Sequence, residues 1–161
     1  MENTEPARIF IHGLESSNQG TKAVFFREKF PGIMTPNFPG DLKERLDKLD
    51  EILASKSDIR LVGSSFGGLM AAVFAIKNTS RIKKMILLAP AINLSQFNPY
   101  RSESISIPVH VYHGINDEVI PLSEVEPVAK KVFRKLTFNS VDDDHYLHKT
   151  FKTIDWETLL A

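Results

Sequence analysis

Cysteine is absent from all 161 residues. That gap excludes a disulfide scaffold, a thiolate zinc site, an iron–sulfur cluster and a cysteine nucleophile, and it fits a reducing compartment. A charge excess is missing as well, with 20 Lys+Arg against 20 Asp+Glu. Nucleic-acid binders gather a basic patch and polybasic membrane-surface proteins an excess of lysine and arginine, so neither partner is expected. Long apolar runs are also lacking. The longest, 69–76 and 85–92, have eight residues each, whereas a membrane-spanning helix needs about 20. The first residues, Met-Glu-Asn-Thr-Glu-Pro, carry neither the basic nor the apolar stretch of a secretory signal. The expectation is a cytoplasmic monomer or small homo-oligomer.

What is present is enough apolar material for a core, 42% of residues, in a length suited to one domain over residues 1–161. Strand candidates lie at 8–11, 32–35, 58–62, 83–88, 109–113 and 136–141. Most are near-continuous apolar runs, the pattern of strands covered on both faces of a parallel sheet. Helix patterns lie between them. Across 41–54, Leu42, Leu46, Leu49, Ile52 and Leu53 form a 3.6-residue stripe, opened by Asp41 and Glu44 at the spacing of a capping box. Residues 66–77 are apolar almost all round, so that helix should be buried. A helix over 123–133 opens with Ser123 and Glu126 at the same spacing, and Pro127 is expected in its first turn. A last helix near Asp155 should pack Trp156, Leu159 and Leu160. Residues 93–107 read as a loop with room for a short helical turn. Alternating strands and helices predict a doubly wound α/β domain of about six mostly parallel strands, with helices on both faces.

The most informative residues are Gly63-Ser64-Ser65-Phe66-Gly67-Gly68. G-x-S-x-G here sits between a strand and an apolar helix. Such a turn lifts Ser65 above the sheet edge, and the chain passes too close to itself for a Cβ at Gly63 or Gly67. The helix then starts beside the hydroxyl and turns its free N–H groups towards any oxyanion. Glycine and serine could also mark a plain tight turn, and Ser64 is a rival hydroxyl, but the symmetric glycines select Ser65.

In this strand–turn–helix context the sequence resembles the serine-nucleophile α/β-hydrolase superfamily, and most closely its small lidless bacterial esterases. Three further segments match in order. Phe10-Ile11-His12-Gly13-Leu14 resembles the oxyanion loop, which would make the Leu14 amide a donor beside that of Phe66; His12 itself reads as a structural, hydrogen-bonded residue. His113-Gly114-Ile115-Asn116-Asp117 resembles the acid loop and puts Asp117 in the acid's place, although Asn-Asp is also ordinary turn chemistry. The stretch 89–93, where some family members keep the acid, has no carboxylate. Asp142-Asp143-Asp144-His145 resembles the histidine loop. Here the sequence departs from the family, with three aspartates where a small residue is usual, so His148 competes with His145. Aspartates so near an imidazole would favour its charged form, an expectation of weak activity below neutrality.

The resemblance implies a Ser65–His145–Asp117 triad and two-step acyl transfer. Residues 89–107 are too few for a cap domain, which implies an open, shallow trough suited to small esters. Its walls are expected from His12, Gly13, Leu14, Phe66, Ile115, Val119 and Tyr146, with Phe97 and Tyr100 reaching in from the 93–107 loop. No cofactor is expected, since neither G-x-G-x-x-G nor a P-loop occurs, and no metal, since no His-x-x-x-His or Glu-x-x-His pair occurs. Thioesterase, acyltransferase and peptidase activity would use the same residues. A binding protein that keeps the fold without catalysis would be marked by a missing triad member.

Overall fold

The computed structural model describes residues 5–161. Five strands, β1 (Glu5–Ile11), β2 (Lys56–Ser64), β3 (Ile82–Leu88), β4 (Ile105–Gly114) and β5 (Phe133–Val141), form one sheet in that spatial order. Every pairing is parallel. The apolar runs work as doubly covered strands. Ile9, Ile11, Leu61, Met85 and Leu87 face one core, while Phe10, Val62, Ile86 and Leu88 face a second on the opposite side.

Helices α2 (Leu42–Ile52), α3 (Phe66–Lys77) and α4 (Leu122–Val132) cover the first face. Helices α1 (Thr21–Lys29) and α5 (Trp156–Leu160) cover the second, where Phe26, Phe151 and Trp156 stack edge to face. The α2 box forms as read: the Asp41 carboxylate accepts the Glu44 N–H at 2.9 Å, and Glu44 accepts the Asp41 N–H at 3.4 Å. The one at Ser123 does not. Helix α4 begins at Leu122 behind Pro121, with no side-chain cap, so Pro127 falls in its second turn and removes one ladder donor.

Two differences from the expected fold bear on the site. The expected strand at 32–35 shrinks to a single parallel bridge between Ile9 and Met34. Pro31 and Pro36 flank it, and neither can donate to a ladder. Since β2 occupies one edge of β1, Met34 lies along the other. The chain therefore leaves β1 in one direction and comes back across it to reach β2. That reversal puts α1 and α2 on opposite faces and makes the carboxyl end of β1 a topological switch point, where open α/β sheets form a crevice. Second, the strand expected from residue 109 starts earlier, inside the segment 93–107 that reads as a loop with room for a short helical turn. That segment holds a 3-10 turn at Ser95–Tyr100, and β4 starts at Ile105.

Candidate active site

Ser65 follows β2 and opens α3 with φ 57° and ψ −117°, a left-handed conformation costly for a side-chain-bearing residue. Its backbone is held from both sides: the N–H donates to Leu88 O at 2.9 Å, and the carbonyl accepts Gly68 N–H and Ala91 N–H, each at 2.9 Å. A Cβ on Gly63 would lie 2.4 Å from Gly67 O, and one on Gly67 would lie 2.0 Å from Ile11 O. The second contact presses the turn onto the end of β1.

The Ser65 hydroxyl lies 3.2 Å from Nε2 of His145. Nδ1 of the same ring lies 2.7 Å from Asp117 Oδ2. A ring nitrogen beside a carboxylate carries the proton, so Nε2 is left as the acceptor of the serine hydroxyl. Asp117 is buried and its acceptor sites are filled. Oδ1 takes the N–H groups of Val119 (2.9 Å) and Ile120 (2.7 Å), and Oδ2 lies 3.3 Å from Nε2 of His113 as well as near His145.

His113 is fully buried and donates Nε2–H to Ile120 O at 2.8 Å. Burial disfavours its charged form and lowers its pKa, against the opposing pull of that carbonyl and of Asp117. No role is assigned to His113 from sequence, and the structure puts it against the acid. The signal available in sequence is its place four residues before Asp117.

The three aspartates before His145 turn away from it. Asp142 accepts from Asn116, buried Asp143 accepts the N–H groups of Asp144, Lys149 and Thr150, and Asp144 pairs with His148 at 2.6 Å. His148 is exposed and bound to Asp144, and it is His145 that reaches Ser65.

At the end of β1, His12 is buried and bonded at both nitrogens. Nε2 accepts the Phe38 N–H at 2.8 Å, so Nδ1 carries the proton and donates to Gly13 O at 2.7 Å. Burial lowers its pKa, which keeps this tautomer neutral. Gly13 O and Leu14 N–H belong to one trans peptide and point in opposite directions. Holding the carbonyl therefore aims the Leu14 N–H. Across from it, Phe66 is the first residue of α3, where a helical N–H has no carbonyl four residues back to meet.

A cavity of about 790 Å³ opens over Ser65 and His145. Of the residues expected to form the wall, His12, Gly13, Leu14, Phe66, Val119 and Tyr146 line this cavity. Three expected wall residues do not. Phe97 is fully buried in the first core and Tyr100 packs beside it, with ring centroids 5.8 Å apart, because the 3-10 turn folds inward onto α3 instead of over the site. Ile115 is exposed outside the cavity. Ala91, Leu94 and Ile120 take their places. Lys22 also lines the cavity, with its ammonium on Tyr146 O at 2.8 Å and its pKa lowered by burial.

Residues 7–126 match the family described as Uncharacterised protein family (UPF0227). The chain belongs to that family. Among curated proteins none matches this chain in sequence. Solved structures do. Alpha/beta hydrolase domain-containing protein 10 from mouse superposes with a TM-score of 0.77 at 18% identity, over 99% of this chain and 88% of that one. Est1E from Butyrivibrio proteoclasticus, solved with ferulic acid bound, gives 0.76 at 18% identity over 97% and 87%. The esterase EaEST from Exiguobacterium antarcticum gives 0.76 at 13% identity over 99% and 92%. The UPF0227 chain thus has the α/β-hydrolase fold, with no separate cap among the described residues. No described helix is long and apolar enough to cross a membrane.

Proposed function

We propose that the protein is a serine hydrolase acting on small carboxylic esters through an acyl-enzyme. The observation that carries this reading is the continuous relay of buried Asp117, His145 and the Ser65 hydroxyl, with Ser65 held in a left-handed turn. Ser65 Oγ attacks the ester carbonyl while His145 Nε2 takes its proton, and Asp117 stabilises the imidazolium that forms. The N–H groups of Leu14 and Phe66 receive the oxyanion; one such donor contributes roughly 3–4 kcal/mol to the transition state. His145 then returns the proton to the leaving alcohol. Water, deprotonated by the same ring, then attacks the acyl carbon; the Ser65 Oγ–acyl bond breaks, the acid leaves, and His145 returns the proton to Ser65 Oγ.

The wall supports a short acyl group. Ala91, Leu94, Val119 and Ile120 offer an apolar patch beside Ser65, and no inserted domain extends it into a tunnel. The esterases among the structural neighbours are consistent with this choice. We take the partner to be the small-molecule ester alone, with no cofactor and no nucleic acid or membrane, and the setting to be cytoplasmic. Residues 1–161 are read as one domain acting as a monomer or small homo-oligomer.

A fluorophosphonate probe is expected to label wild type and not Ser65→Ala. Unlabelled wild type would sink the hydrolase reading, and labelling of both would sink Ser65. Across p-nitrophenyl esters, kcat/KM is expected to peak at acetate or butyrate; a steady rise beyond about ten acyl carbons would overturn the short-acyl assignment.

A further inference from the structure

Arg45 sits in the first turn of α2, buried to 4% exposure. Three features make that place costly. A cation at a helix N-terminus opposes the helix dipole. A buried charge requires a partner, yet among the described residues no carboxylate lies within ion-pair distance of this one. The acids nearest in sequence are engaged elsewhere, Glu44 with Asp41 in the capping box and Asp47 with Lys43 at 2.8 Å. Finally, Nη1 has no hydrogen-bond partner among the described residues. Burial alone accounts for the downward pull on its pKa, and a guanidinium stays charged regardless.

Its contacts fall on Leu14 and Phe66, the two residues whose N–H groups would receive the oxyanion. Nη2 donates to Leu14 O at 3.3 Å, and the guanidinium lies over the Phe66 ring, 5.4 Å from its centroid. Nε anchors the side chain on Gly40 O at 2.8 Å. Leu14 is 52% exposed, so the polar ties on its two peptides carry much of its placement. His12 holds the peptide before it, through Gly13 O, and Arg45 holds the peptide after it. The second tie also spans a seam, because Leu14 belongs to the β1 loop and Phe66 to α3.

We propose that Arg45 is a positioning residue for the oxyanion site: it locks the Leu14 peptide against the Phe66 turn and sets an uncompensated positive charge behind both donors. This rests on the ester-hydrolase reading. A charge that nothing neutralises in the resting protein acts on negative charge as it develops on the substrate oxygen. It therefore favours the transition state over the bound ester, and its loss falls on kcat more than on KM.

The test uses Arg45→Met and Arg45→Gln, each close to arginine in length. Active sites are titrated with the fluorophosphonate probe, and kcat and KM for p-nitrophenyl butyrate are expressed per titrated site. Butylboronic acid, which adds to a serine as a tetrahedral anion, measures the oxyanion site directly. Both variants are expected to lose roughly ten- to fifty-fold in kcat per site, less than the 10²–10³ for deleting a donor outright. KM is expected to stay within about twofold, and boronate affinity to fall by the same factor as kcat. Arg45→Gln carries the test if Arg45→Met does not fold. Unchanged kcat per site, or a loss confined to the fraction of protein that labels, makes Arg45 merely structural and overturns the proposal. Wild type that does not label overturns the ester-hydrolase reading and this one with it, whereas labelled wild type with indifferent variants overturns this one alone.

Discussion

Ser65 occupies a conformation that glycine adopts freely and serine does not. A left-handed residue outside glycine costs on the order of 1–3 kcal/mol, so the hydroxyl is held at the expense of stability. Ser65→Gly is therefore expected to abolish probe labelling and to raise unfolding stability by about 1 kcal/mol, after the larger backbone entropy of glycine is subtracted. Urea denaturation checks this, and a destabilised variant would mean the turn is relaxed. The two histidines separate equally cleanly. His145→Ala removes the only ring bonded to both Ser65 and Asp117 and is expected to lower kcat by about 10⁴-fold or more. His148→Ala breaks an exposed pair with Asp144 and is expected to leave ester turnover within about twofold and stability within about 0.5 kcal/mol.

At the ends of β1 and β4 sit two buried histidines, His12 and His113, whose charged forms burial disfavours. Unfolded, each would titrate near pH 6.5. Above that pH both states are neutral and stability is fully present. As pH falls below it the unfolded chain takes up protons that the folded one refuses, so stability declines towards the lowered folded values. The slope is about 1.4 kcal/mol per pH unit for each such histidine. Urea midpoints at pH 7.5 and 5.5 are expected to show this loss, and His113→Gln to reduce it. The elements that carry these residues are legible in sequence to different degrees. Strand β3 announces itself by its apolar run Met85–Leu88, and Asp41 with Glu44 marks α2. Helix α1 escapes such a reading because Ala23, Val24, Phe25 and Phe26 are consecutive, which blurs any 3.6-residue stripe, and Gly20 provides no capping side chain. Phe97 and Tyr100 mislead because aromatic residues in a loop read alike whether they turn into the core or over a site. Ser65, Asp117 and His145 are legible as candidates because each falls within a few residues of the end of a strand, of β2, β4 and β5 in turn. Arg45 cannot, since a basic residue within a helical stripe looks like solvated surface until its neighbours are seen.

The two cores lie on opposite faces of one sheet and share its strands. Trp156, the one tryptophan, is buried on the α1–α5 side. If residues 1–161 fold as one unit, tryptophan fluorescence and far-ultraviolet circular dichroism should trace a single urea transition with coincident midpoints. An earlier fluorescence change would show that the α1–α5 side unfolds separately. The crevice at the end of β1 arises because the chain doubles back across a strand. It belongs to the connectivity, not to the side chains around it. Exchange of Leu94 or Val119 for larger or smaller residues is then expected to change the bore of the cleft without closing it. The scaffold would tolerate drift in substrate preference while the proposed triad, carried on the loops that leave the strands, keeps its place.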